Sequence, residues 1–195
     1  MKTGRVHAAA VVAAVLGILV AAVPGYAAEP SSWPPATGFW TTPTIHDAGR
    51  IHYSHDFAYQ PDPKATYKIV FGLTKMGAHP DQVSPSIEHL ARAVNLYVKA
   101  GVPLDHLKFV AVAYGPGTAV VVDDAHYKAK FGVDNPNLPV IAQLRKAGVD
   151  VAVCAQAMAE HHFKYEWLDK NVTLALSGLS TLANLQLKGY AVLIF

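Results

Sequence analysis

The stretch Val149-Asp-Val-Ala-Val-Cys-Ala-Gln156 decides how the rest of the chain is read. Residues 149–153 form a short β-branched run, the composition of a buried strand, and they lead directly into Cys154. Residues 155–160 then read as a short helix, so a cysteine stands where a strand runs into a helix.

Working outward, the same alternation recurs on both sides. Residues 67–73 and 107–113 are apolar runs that read as a first and a second strand. Between them, Ser84-Pro85 is a helix start, because serine caps and proline is tolerated at the first helical position. Ile87, Leu90, Ala91, Val94 and Val98 follow on one face, and Gly101 and Pro103 close the helix. Residues 138–147 read as a helix that ends at Gly148. Beyond Cys154, a second helical turn is expected near residues 164–168 and a fourth strand over 172–176. A helix over 180–188, with Ser180 as its cap, and a last strand over 190–194 complete the pattern. Residues 115–137 do not declare themselves. Strands alternating with helices over short connections predict a three-layer α/β/α fold with a mainly parallel five-stranded sheet.

The N-terminus belongs to another category. Lys2 and Arg5 precede the uninterrupted apolar run 8–23, and small residues stand at the right offsets for a cut after Ala27. The run is shorter than the roughly 20 residues that cross a bilayer comfortably. The expected organisation is a signal peptide (1–27), a Pro- and aromatic-rich arm (28–63) and one domain (64–195), with the product periplasmic or secreted and free of the membrane once cleaved. The arm carries Trp33, Phe39, Trp40, Tyr53, Phe57 and Tyr59, too aromatic for an ordinary disordered tail. It is expected to lie over its own domain or a neighbouring subunit. Removing Lys2 and Arg5 brings the 16 basic residues to 14, equal to the 14 acidic ones. Neither the basic stripe of a nucleic-acid binder nor a polybasic membrane cluster is present.

In an open parallel sheet, ligands collect beyond the carboxyl ends of the strands. That rule picks out Lys75 and His79 after the first strand, Tyr114 and Gly115 after the second, Cys154 and Gln156 after the third, and Ser177 and Gly178 after the fourth. Cys154 is the candidate catalytic residue and the others are candidate substrate contacts. It is the one cysteine in the chain, so no internal disulfide is possible. A thiol at the start of a helix faces unsatisfied backbone N–H groups and the positive end of the dipole, a setting in which reactive cysteines operate. The alternative is a cysteine that packs as a small hydrophobe. Gly115-Pro-Gly-Thr-Ala-Val120 starts like a dinucleotide fingerprint but has Val120 where glycine or alanine is needed, and reads as a tight turn. His161, His162 and Glu166 lack the HExxH spacing, and His46, His52 and His55 lie in the arm. No metal site and no cofactor are expected.

Residues 149–156 resemble the strand-cysteine motif of the DsrE/DsrF-like proteins. Residues 172–190, which end in Gln186-Leu-Lys-Gly-Tyr190, resemble their closing strand, glycine turn and helix. Ala113-Tyr-Gly-Pro-Gly117 resembles the segment after the second strand, where many members have histidine-glycine, and Asn95 matches a position often occupied by asparagine. The resemblance covers residues 67–195. It implies a homo-oligomer, trimer or hexamer, and a sulfur carrier or sulfurtransferase that accepts sulfane sulfur as a persulfide on Cys154. A sulfur-donor or thiol protein is then a candidate partner. The alternative is a non-catalytic oligomeric ligand-binding or interaction module with the same fold.

Overall fold

The computed structural model describes residues 38–195. The expected signal peptide and the first part of the arm, with Trp33, lie outside the described residues. Five strands form one sheet: β1 (Tyr67–Leu73), β2 (Leu107–Ala113), β3 (Asp150–Cys154), β4 (Thr173–Ala175) and β5 (Ala191–Ile194). Their order is β4-β3-β2-β1-β5, and every neighbouring pair is parallel. Parallel pairing requires crossovers, and helices supply them: α1 (Pro85–Lys99), α2 (Asp124–Phe131), α3 (Leu138–Lys146), α4 (Ala155–Glu160) and α5 (Gly178–Leu187). The architecture is a three-layer α/β/α fold.

Alternation along each strand sorts the side chains onto two unequal faces. Ile69, Phe71 and Leu73 of β1, Phe109, Ala111 and Ala113 of β2, and Val151 and Val153 of β3 belong to the larger core. They join Ile87, Leu90 and Val94 of α1 and Val140, Ile141 and Leu144 of α3, nearly all fully buried. On the other face, Val70, Val112 and Ala152 form a small second core with Leu182 and Leu185 of α5 and with Tyr190 and Val192. That side is thin. Leu176, Leu179 and Leu187 remain 75%, 82% and 87% exposed.

Local sequence explains the starts and stops. Ser84 caps α1 by accepting the Ser86 N–H, with Pro85 behind it. Asp123 caps α2 through the His126 N–H, and Gly132, at φ +81°, closes that helix in the left-handed region. Residues 115–137, undeclared in the sequence, become a 3-10 turn (Gly115–Val121) followed by α2. A Cβ on Gly117 would stand 2.2 Å from the Leu73 carbonyl oxygen, so glycine there lets the turn lie directly on the end of β1. One expectation needs correction. The last helix begins at Gly178 with Ser177 at its cap position, and Ser180 lies inside it with its hydroxyl 3.4 Å from the Ser177 carbonyl. An extended Ser177, with ψ 143°, is what moves the start two residues back.

The described part of the arm lies on α1. The side-chain amide of Asn95, fully buried, accepts from Thr44 N–H and Ile45 N–H at 3.0 and 2.8 Å. It donates to the carbonyls of Ile45, Ala48 and Gly49. Glu88 accepts the Gly49 N–H at 2.7 Å. Gln143 on α3 accepts from His46 N–H at 2.7 Å. Ile45 and Ile51 are buried beneath the loop, which an antiparallel bridge between Thr41 and Ile51 closes.

Candidate functional site

Because all five strands run the same way, their carboxyl ends share one edge of the sheet. There the register pairs Ala113 with Val153 and Cys154 with Ala175, so Cys154 lies between the end of β2 and the end of β4. Cys154 is two residues beyond Ala152 in an extended conformation and shares its side of the sheet, the α5 side.

Cys154 is the last residue of β3 and the cap residue of α4. Its Sγ accepts the N–H of Ala157 at 3.3 Å, the bond that serine or aspartate ordinarily makes at this position. The sulfur is thereby oriented by backbone. The residue is 5% exposed and counts among the buried side chains. Ala155 and Ala157 flank the sulfur with small side chains, both buried.

Both ends of α4 are tied to neighbouring loops. Gln156 Nε2 donates to the carbonyl of Leu176 at 3.1 Å and joins the helix start to the end of β4. His161 Nε2 lies 2.9 Å from the carbonyl of Gly115, which joins the helix end to the turn after β2. The turn is itself closed by Thr118 Oγ1 donating to the same carbonyl at 2.7 Å. Gly115 and Leu176 are thus tied, through His161 and Gln156, to the two ends of the helix that Cys154 caps. His161 was not among the candidate site residues. Its position at the helix end, seven residues from the cysteine, becomes legible only once the turn is seen beside it.

Tyr114 and Gly178 are brought together, in a way that aims the phenol elsewhere. A Cβ on Gly178 would be 3.1 Å from the Tyr114 ring, and a Cβ on Gly72 would be 2.8 Å from its hydroxyl. The ring therefore crosses from β2 over β1, away from β3, and the two glycines make room for it. Burial pushes the Tyr114 phenol above its ordinary range, so it stays protonated at neutral pH. Ser177 makes no side-chain cap bond.

Lys75 and His79 lie in a loop that folds back onto the start of α1. Lys75 donates its N–H to Ser86 Oγ at 3.2 Å and accepts from Ser84 Oγ at 2.5 Å, and the His79 carbonyl accepts from Gln82 N–H. Both side chains are exposed, and neither forms a hydrogen bond or ion pair with Cys154. Among the described residues no three His, Cys, Asp or Glu side chains are grouped so as to hold a metal ion. His52 Nδ1 instead lies 3.1 Å from the Phe39 carbonyl, and His55 Nδ1 lies 3.3 Å from the Tyr53 hydroxyl. No described helix is long and apolar enough to cross a membrane.

Chemically, the edge offers one oriented sulfur, backbone N–H groups at the start of α4 and small flanking side chains. The solved structure of a protein of unknown function, MTH1491 from Methanobacterium thermoautotrophicum, is similar at 17% identity and a TM-score of 0.47, over 66% of this chain and 99% of that one. No curated protein matches the chain. The sequence model of the DsrE/DsrF-like family matches residues 68–195, from the second residue of β1 through β5 and with Cys154 inside the match. The chain therefore belongs to the DsrE/DsrF-like family.

Proposed function

We propose that this protein is an exported sulfur carrier that holds sulfane sulfur as a persulfide on Cys154. The observation that carries the reading is the cysteine's seat: the one thiol of the chain caps α4 at the carboxyl edge of the sheet and is oriented by the Ala157 N–H. In the proposed step the Cys154 thiolate attacks a terminal sulfur of an inorganic polysulfide. An S–S bond forms at Cys154, the adjacent S–S bond of the polysulfide breaks, and its electron pair leaves with the shortened polysulfide. No external oxidant or reductant enters. A partner thiol then takes the sulfur by the same exchange. A sulfur atom is small, which suits a residue with 5% exposure flanked by alanines. Export rests on the leader-like residues 1–27.

The test is to incubate the protein with polysulfide and weigh it intact. Gain of sulfur mass in the native protein and no gain in Cys154→Ser supports the carrier. An unchanged native mass, under conditions that sulfurate a free-thiol peptide, overturns it.

A second reading, a non-catalytic oligomeric module, is favoured by the burial of Cys154 and by the apolar surface on and around α5. Leu176, Leu179, Leu187 and Ile194 are all more than half exposed, on the thinly covered side of the sheet. A second copy of the chain would cover them, as the homo-oligomer of either reading requires. This reading expects Cys154→Ser to keep assembly and ligand binding while sulfur loading is absent from the native protein as well.

A further inference from the structure

The described arm encloses a groove that the cysteine chemistry does not use. It lies between loop residues 52–61 and the C-terminal part of α1, with a volume of about 480 Å³. Tyr67 opens β1 and Ala100 closes α1, so the groove sits at the amino edge of the sheet, opposite the edge that holds Cys154. We propose that this groove is a binding site for an uncharged, planar aromatic compound of one or two rings that carries a hydrogen-bond acceptor.

Three features of the lining fix that class. The first is its aromatic character: Tyr53, Phe57, Tyr59, Tyr67 and Tyr97 line it together with Leu96 and His52. Tyr67 and Tyr97 meet edge to face with centroids 4.6 Å apart, which leaves ring surface for a flat guest to stack against. The second is charge. No Asp, Glu, Lys or Arg lines the groove, so a charged guest would shed its hydration without a counter-charge. The third is the accounting of hydroxyls. Tyr53 donates to Gln60 Oε1 at 2.9 Å and Tyr67 to the Asp62 carbonyl at 3.1 Å, so both are spent within the loop. The Tyr97 hydroxyl has no protein partner among the described residues, and burial together with neighbouring Tyr67 pushes it above its ordinary range. It remains a donor, and a carbonyl on the guest would satisfy it.

The loop is built rigidly for a segment with so little regular structure. Gln60 Nε2 donates to the carbonyls of Ser54 and Phe57 at 2.9 and 3.0 Å, and the Gln60 side chain also holds Tyr53. Tyr59, fully exposed, has φ +58°, a left-handed conformation that a non-glycine residue adopts at a cost. An exposed tyrosine held in strained backbone at the mouth of an aromatic groove has no packing role to explain it.

Coumarin is the probe: planar, uncharged and bearing a lactone carbonyl. Binding to the purified protein is measured by calorimetry beside coumarin-3-carboxylate and 7-(trimethylammonio)coumarin, which carry the same ring system with either charge. Coumarin is expected to bind saturably and more tightly than both. Tyr59→Ala, which removes an exposed side chain, and Phe57→Ala should each weaken it about three- to tenfold. Tyr97→Phe should weaken it by about threefold or more through the lost donor. Cys154→Ser should leave it unchanged, which separates this site from the sulfur chemistry. No saturable binding of coumarin, tighter binding of either charged probe, or coumarin binding indifferent to all three groove variants would overturn the proposal.

Discussion

At the scale of single residues, the chain depends on small or polar groups whose positions are dictated by backbone. Asn95 satisfies two N–H groups and three carbonyls of the arm from inside the core. Asn95→Ala would strand several of them away from water, and at about 1–3 kcal/mol for an unsatisfied buried group the loss should reach about 3 kcal/mol. Urea unfolding checks it; a change below about 1 kcal/mol would mean that water enters and replaces the amide. Cys154 is held as firmly, by the Ala157 N–H, and its 5% exposure has a consequence for reagents. Small methyl methanethiosulfonate should modify the native protein, while bulky 5,5′-dithiobis(2-nitrobenzoate) should react at least about tenfold more slowly than with the unfolded chain. Equal rates for the bulky reagent in both states would show an open site. Residues 149–156 disclosed the cysteine and its turn. The direction of the Tyr114 ring stayed hidden, because it depends on Gly72 and Gly178, which are distant in sequence and make room only once β1 and α5 lie beside it.

At the scale of elements, a local capping side chain made some helix starts legible and not others: Asp123 caps α2 through the His126 N–H, yet that start did not stand out from residues 115–137. Ser84-Pro85 announced α1. Ser177 and Ser180 both resemble caps, and the backbone of Ser177 decided between them. α2 gives a pH prediction. Desolvation raises the Asp123 carboxyl, but the backbone and side-chain hydrogen bonds and charge of His126, with the Ala125 N–H, outweigh it and hold the group below its ordinary value. A carboxyl depressed by folding contributes stability that is present above its unfolded pKa, about 3.9, and is lost as pH falls through the lower folded value. Wild type should therefore lose more stability than Asp123→Asn as pH drops from about 5 to 2. Parallel acid limbs in the two proteins would show that the cap carries no pH dependence.

At the scale of the whole molecule, the unequal layers are the leading feature. α1 and α3 bury one face of the sheet, while α5 alone attends to the other and leaves Leu179 and Leu187 largely in solvent. Placing a charge at either position costs the folded monomer little and tests the self-association proposed for this face. Leu179→Asp and Leu187→Asp are expected to convert an oligomer to a smaller species in sedimentation, with melting of the monomer fold little changed. An unaltered sedimentation coefficient in the double variant would place the interface elsewhere.

The sequence by itself determined the strand order along the chain, the helices outside residues 115–137, the parallel sheet and the single cysteine at the end of β3, because each follows from neighbours within one turn or one run of alternating side chains. The tertiary structure alone decided that Tyr114 points away from that cysteine, that His161 ties α4 to the turn after β2, and that the arm forms an aromatic groove on α1. These are contacts between segments tens of residues apart. Their geometry is set by how the layers close on one another, which no local pattern of side chains encodes.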